Sequence, residues 1–201
     1  MAHVERALAA LRAGQCVVVV DGPNRENEGD LIVAAEKVTP EIIAFILKYT
    51  SGLICCGIEA KRTQELKLPL MVETNTEAHN TAFTISVDCK HGTTTGISAA
   101  DRAATIQALA NPTTQPEDFR RPGHMFPLRA REGGVLVRPG HTEASVDLAR
   151  LAGLFPAGAM CELINTDGSM MRPQECQKFA ETHGLVYLTL GDIITYRQTK
   201  T

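Results

Sequence analysis

Asp21-Gly22-Pro23-Asn24-Arg25-Glu26-Asn27-Glu28-Gly29-Asp30-Leu31 is the stretch from which the rest of the chain can be read. Residues 16–20, Cys-Val-Val-Val-Val, precede it and read as a buried strand, and 31–35, Leu-Ile-Val-Ala-Ala, read as another. The loop between them, 21–30, holds four carboxylates and one arginine. Glu26, Glu28 and Asp30 alternate, which crowds negative charge into a small volume. Such crowding is costly unless a cation sits there, and hard divalent ions such as Mg²⁺ favour carboxylate oxygens. A solvated acidic turn has the same composition, so the loop alone does not decide between the two.

Working outward, helical and strand patterns alternate along the chain. Val4, Leu8 and Leu11 share a helical face that Gly14 closes. Thr39-Pro40-Glu41 is a helix start, with Ile42, Ile43, Ile46 and Leu47 as its apolar face and Ser51-Gly52 as its break. Residues 53–58 read as a strand, 60–66 as a short helix and 82–87 as an alternating strand. The polar stretch 69–80 is too long for a tight turn, and loops of this length tend to be functional or mobile. Ser98 caps a helix through Ala110, with Asp101 completing a capping-box pattern. Residues 125–128 and 134–137 read as short strands, Thr142 as the start of a helix ended by Gly153, and 159–164 as a strand. A helix over 173–182, a strand over 185–190 and a helix over 192–198 complete the pattern. No composition shift or repeat marks a boundary, so residues 1–201 read as one domain. The expectation is an α/β fold: a mixed sheet of about seven strands with helices on both faces.

Composition limits the function classes. Hydrophobic residues make up 44% and charged residues 21%, which is ordinary globular content. A net charge of −3 without a Lys/Arg cluster gives no footprint for nucleic acid or an anionic membrane. With aromatics at 4% and no Trp, stacking platforms for single strands are not expected. There is no signal-peptide core and no apolar run near the roughly 18 residues needed to span a bilayer. The six cysteines lie in apolar segments without metal-ligand spacing and read as buried reduced thiols. A cytoplasmic protein is the expectation.

Four further stretches carry chemistry. In Arg120-Arg121-Pro122-Gly123-His124-Met125-Phe126-Pro127-Leu128-Arg129, Gly123 permits close approach to His124, and the prolines stiffen its flanks. Such a histidine is a structural or a catalytic group. In Arg138-Pro139-Gly140-His141-Thr142-Glu143-Ala144, a helix starting at Thr142 offers free N–H groups to an anion, Arg138 adds a cation, and His141 offers an imidazole to a metal. Thr93-Thr94-Thr95-Gly96-Ile97-Ser98 suggests a similar anion site before the next helix. Glu162, within the apolar run Met160-Cys161-Glu162-Leu163-Ile164, is a carboxylate that must be paired, used for proton transfer or turned to solvent. Together these fit a metal-dependent enzyme acting on a small phosphorylated molecule.

RENEGD after an apolar strand, TTTGISAADR, RPGHMFPLRA, RPGHTEA and CELINTDG follow the order of one family. From about Val4 to Gln198 the chain resembles 3,4-dihydroxy-2-butanone-4-phosphate synthase of riboflavin biosynthesis. The resemblance implies a three-layer α/β/α sandwich and a carbon–carbon lyase. Its reaction would turn D-ribulose 5-phosphate into L-3,4-dihydroxy-2-butanone 4-phosphate and formate, with Mg²⁺ as cofactor and Mn²⁺ as its alternative. It also implies a homodimer with active sites at the subunit interface. Many members carry a fused GTP cyclohydrolase II domain; the end at Thr201 and the lack of a zinc-type cysteine cluster point to the monofunctional form.

Residue by residue, the resemblance makes Glu26 and His141 metal ligands. Arg25, Glu26, Asp30, Glu162 and the segment Arg138, Pro139, Gly140, His141 and Thr142 become substrate-binding, and His124 and Glu162 the catalytic acid/base groups. Pro139 lacks a backbone donor, which leaves phosphate contact to Arg138, Gly140 and Thr142. Gly22-Pro23 stands where the family usually carries further acids. That departure keeps open a catalytically degenerate sugar-phosphate binder as the alternative.

Overall fold

The apolar runs become the inner strands of one sheet. A computed structural model describes residues 1–200. Its seven strands are β1 (Val17–Val20), β2 (Gly29–Ala34), β3 (Cys55–Glu59), β4 (Val87–Cys89), β5 (Phe119–Ala130), β6 (Ala157–Glu162) and β7 (Val186–Thr189). They lie side by side in the order β4-β5-β3-β6-β2-β1-β7. The sheet is mixed: β1/β7 and β3/β5 are parallel, whereas β1/β2, β2/β6, β3/β6 and β4/β5 are antiparallel.

Helices α1 (Ala2–Arg12), α2 (Pro40–Tyr49), α3 (Ala60–Glu65), α4 (Ala99–Ala110), α5 (His141–Leu151), α6 (Pro173–His183) and α7 (Leu190–Gln198) connect the strands. Successive strand residues point to opposite faces, and each face has its own core. Val18, Val20, Leu31, Val33, Cys56 and Ile58 pack with Ile43 and Ile46 of α2, Ile106 and Leu109 of α4, and Cys176 and Phe179 of α6. Val17, Val19, Ile32, Cys55 and Met160 pack with Leu8 and Leu11 of α1, Ala144 and Leu148 of α5, and Ile193 and Tyr196 of α7. The result is a three-layer α/β/α sandwich.

One contact sets the geometry of the functional end. Gly57 and Gly158 face each other across β3 and β6. A Cβ on Gly57 would lie 2.4 Å from Ser145 Oγ, and one on Gly158 would lie 2.7 Å from Ser145 Cβ. The paired glycines therefore let α5 lie directly on the middle of the sheet. Nine of its residues, from His141 to Ala149, are buried.

Several local expectations are corrected. Residues 125–128 are part of the long strand β5, and 134–137 contain a 3-10 turn, Gly134–Leu136, not a strand. The expected strand at 82–87 narrows to isolated bridges at Phe83 and Thr84 followed by β4. Helix α5 begins at His141 with Gly140 as its cap, so His141 is the first helical residue rather than the one before the cap. Ser98 does cap α4 by accepting from Asp101 N–H at 3.0 Å. The Asp101 carboxylate, however, turns away to Thr94 N–H, Thr94 Oγ1 and Gly96 N–H at 2.8–3.0 Å. The Thr93–Ser98 loop thus spends its Thr94 and Gly96 donors on an internal acid.

All six cysteines are buried and unpaired. Among the described residues no helix is long and apolar enough to cross a membrane.

Candidate active site

The acidic loop is a folded turn with a carboxylate at its centre. Arg25 N–H donates to Gly22 O at 3.0 Å, so Gly22-Pro23 opens a tight turn. Asp21 Oδ2 accepts from Arg25 Nη1 at 2.9 Å and Glu26 N–H at 3.1 Å, and Oδ1 accepts from Glu28 N–H at 2.8 Å. From the start of α6, Arg172 Nη1 grips the loop's outer side through Glu26 O at 3.1 Å and Asn27 O at 3.2 Å. Asp21 and Arg172 hold the loop, which leaves the Glu26 side chain facing α5.

His141, at the start of α5, meets that loop. Its Nδ1 is 3.7 Å from Glu26 Oε2 and 3.5 Å from Asp30 Oδ1, ion-pair distances rather than hydrogen bonds. Donor atoms of Asp21, Glu26 and His141 lie within 4.8 Å of one another. Because Asp21 already accepts three hydrogen bonds, Glu26 and His141 are the pair with donors to spare. Two buried atoms here, His141 Nε2 and Asp30 Oδ1, have no hydrogen-bond partner. Buried polar groups are nearly always satisfied, so orphans beside a carboxylate mark a place for a ligand.

The electrostatics agree. The His141 imidazole first, and then Arg25, hold the Glu26 carboxyl down at about 2 against the upward push of burial. Burial alone would lower His141, but Asp30, Glu26 and Asp21 overcome it and hold the imidazole above its ordinary value. Burial pushes Asp30 up to about 7, with the charges of Glu162 and Glu26 adding to it. A place that draws a proton to its imidazole and leaves a carboxylate underneath it is built for positive charge.

These groups border a cleft of about 190 Å³. Of the residues singled out in the sequence, Arg25, Glu26, Asp30, His141, Thr142 and Glu162 line it. Cys55, Glu77, Thr81, Phe83, Leu128 and Met160 complete the wall, and sequence reasoning assigned no role to any of them. Glu77 and Thr81 belong to or adjoin the polar stretch 69–80, whose length was the one signal that could have found them. Glu162 is paired with Asp30 across β2 and β6, and its Oε2 accepts a 2.6 Å hydrogen bond from Ser51 Oγ.

Arg138, Pro139, Gly140 and His124 are not among the lining residues. Arg138 is a latch: its guanidinium reaches Glu143 Oε2 at 2.6 Å, His79 O at 3.1 Å and Thr81 Oγ1 at 3.1 Å. It ties the 77–81 segment to the start of α5 and so shapes the cleft wall from behind. His124 lies on β5, two places along the sheet from the strand of Glu162, with Asp88 at its Nδ1.

The sandwich and its cleft together define a small α/β/α protein with one candidate active site. Comparison with known proteins then fixes the kind: the chain belongs to the 3,4-dihydroxy-2-butanone 4-phosphate synthase family, whose profile matches residues 5–196. It is 56% identical over 195 residues to the riboflavin biosynthesis protein RibBA of Salinispora arenicola, covering 97% of this chain and 46% of that one. It is 53% identical to the 3,4-dihydroxy-2-butanone 4-phosphate synthase of Agrobacterium fabrum, covering 98% of this chain and 92% of the other. The chain spans about half the length of the RibBA relatives it matches. Among solved structures it is similar to a 3,4-dihydroxy-2-butanone 4-phosphate synthase in complex with two magnesium ions. That match has a TM-score of 0.94 and 47% identity, and covers 98% of this chain and 96% of the other.

Proposed function

We propose that this cleft carries out the family's reaction, the conversion of D-ribulose 5-phosphate to L-3,4-dihydroxy-2-butanone 4-phosphate and formate in riboflavin biosynthesis. The chain is a carbon–carbon lyase. The observation that carries the reading is the meeting of Glu26 and His141 in a cleft where His141 Nε2 and Asp30 Oδ1 are buried without a partner.

The residues fit a divalent cation. The Glu26 carboxylate suits Mg²⁺ or Mn²⁺, the His141 imidazole would join it on giving up its proton to the solvent, and the Asp21 carboxylate stands within 4.8 Å. Glu26 and His141 would hold the ion. When bound, it supplies Lewis acidity to a carbonyl and its neighbouring hydroxyl, which eases loss of a proton from the carbon between them.

The chain's own side chains do the rest. Arg25, fixed by Asp21 and Glu26, presents a cation at the cleft's edge. Asp30 and Thr142 face the sugar hydroxyls, and the free N–H groups at the start of α5 attract the anionic end of the substrate. Glu162 takes and returns protons at substrate carbon and oxygen, with Ser51 Oγ fixing one of its oxygens. Phe83, Leu128 and Met160 keep water from the reacting carbons.

His124 is the second proton carrier, and it stands outside the cleft's lining. A homodimer with active sites at the subunit interface would bring it to the neighbouring cleft. The exposed apolar run Leu70, Met71 and Val72, beside the cleft's own wall at Glu77 and Phe83, supports a second copy on that side.

Incubation with ribulose 5-phosphate and Mg²⁺ should release formate, and Glu26→Gln should not. Turnover by Glu26→Gln at the unsubstituted rate would refute the cleft assignment. Mixed dimers of Glu26→Gln and His124→Gln chains should recover activity, since one of the two sites then pairs an intact Glu26 with an intact His124. No recovery would place both residues within one subunit's site.

A further inference from the structure

We propose that Asp88 is a positioning residue for His124, holding the imidazole in one tautomer so that Nε2 is the atom offered to the substrate. This rests on the reading of His124 as a proton carrier and goes beyond it to the group that makes it one. The contact is a double one. Asp88 Oδ1 accepts from His124 N–H at 2.8 Å, and Oδ2 lies 2.7 Å from His124 Nδ1. An ionised carboxylate can only accept, so Nδ1 carries the hydrogen, and in the neutral ring Nε2 keeps its lone pair. The Asp88 side chain is 7% exposed and that of His124 44%, so the acid is sunk while its partner reaches outward.

The surroundings are built for this pair. Strand pairing jumps from Asp88↔Arg120 to Val87↔Met125, so residues 121–124 bulge out of β5 opposite a single step of β4. Bulges re-aim side chains, and this one swings His124 over Asp88. A Cβ on Gly123 would lie 2.0 Å from the Val87 carbonyl carbon, so only glycine allows the approach. On the other side Gly96, at φ +91°, closes over the acid; a Cβ there would lie 2.0 Å from Asp88 Oδ2. The buried Asp101 carboxylate in turn holds the Gly96 turn through Thr94 and Gly96 N–H. Asp88 is confined from both sides, and the orientation it gives His124 is fixed before any substrate arrives.

Asp88→Asn tests the inference. Asparagine keeps the shape and can still accept from His124 N–H, but it offers an NH₂ to Nδ1 and so moves the ring hydrogen to Nε2. The expected result is a loss of kcat of about 10²–10⁴-fold, as when the wrong tautomer is imposed on a catalytic imidazole. KM for ribulose 5-phosphate should change far less than kcat, the split expected when the lost interaction is made in the transition state. In ¹⁵N NMR, His124 should carry its hydrogen on Nδ1 in the unsubstituted protein and on Nε2 in the variant. Normal turnover by Asp88→Asn, with His124→Gln inactive, would overturn the positioning role and leave His124 in the mechanism. Normal turnover by His124→Gln would instead remove His124 itself. If Asp88→Asn fails to fold, the unsubstituted spectrum decides: an Nε2–H tautomer overturns the proposal.

Discussion

Two imidazoles in this molecule live in opposite settings. His141 is buried at the start of α5, its Nδ1 pressed between Glu26 and Asp30 and its Nε2 without a partner. His124 stands half out of the surface, with Nδ1 locked onto Asp88 by a 2.7 Å contact. The first faces two carboxylates and keeps one ring nitrogen without a partner. The second has one acid, fully engaged, and one free nitrogen. What sits around each ring, rather than the ring itself, separates a group suited to holding a cation from one suited to moving a proton.

The largest effect should come from breaking the first setting. Glu26→Gln or His141→Ala should lower kcat/KM on the order of 10⁴-fold, the size of several kcal/mol of charge stabilisation. Calorimetry should also show Mn²⁺ binding lost; retained binding would place the ion elsewhere. Removing the proton carrier nearest the cleft should cost less. Glu162→Gln should lower kcat roughly 10³-fold with little change in KM, whereas full activity would take Glu162 out of the mechanism.

Ser51 sharpens the comparison, because it does for Glu162 what Asp88 does for His124. Ser51→Ala removes one hydrogen bond to a carboxylate and should lower kcat about tenfold without altering metal affinity. An equal loss of Mn²⁺ binding would show that Ser51 supports the fold of the cleft rather than the acid.

The smallest effect concerns stability. Thr94 N–H first, with Thr94 Oγ1 and Gly96 N–H, holds Asp101 down at about 2 from its ordinary 3.8. A carboxyl lowered on folding stabilises above its unfolded value and loses that contribution as pH falls through the folded one. The Tm gap between the unsubstituted protein and Asp101→Asn should therefore be full above about pH 4 and close toward pH 2. A gap that does not change with pH would contradict this.

Much of the molecule was legible in the sequence. Two apolar runs around an acid-rich loop gave β1 and β2, and Thr39-Pro40 gave the start of α2 with Thr39 Oγ1 accepting from Ile42 N–H. The cleft residues Arg25, Glu26, Asp30, His141, Thr142 and Glu162 were all named from it. Strand β5 was hidden because Pro122, Gly123 and Pro127 look like turn residues; Pro122 and Gly123 lie in the bulge, where regular pairing with β4 is absent. Glu77 and Thr81 were missed because a loop's fold depends on a distant latch, here Arg138, that local pattern does not contain. Arg138 itself reads as an anion-binding cation in sequence and is found paired with Glu143. Asp88 escaped for a similar reason: its partner is 36 residues away.

The most direct test is diffraction from crystals grown with ribulose 5-phosphate and Mn²⁺, with data collected at a wavelength where manganese scatters anomalously. An anomalous peak roughly 2.0–2.3 Å from both a Glu26 oxygen and a His141 ring nitrogen, with sugar oxygens on its far side, is the predicted result. A peak bound by other residues, or sugar lying away from Glu26 and His141, would contradict the account.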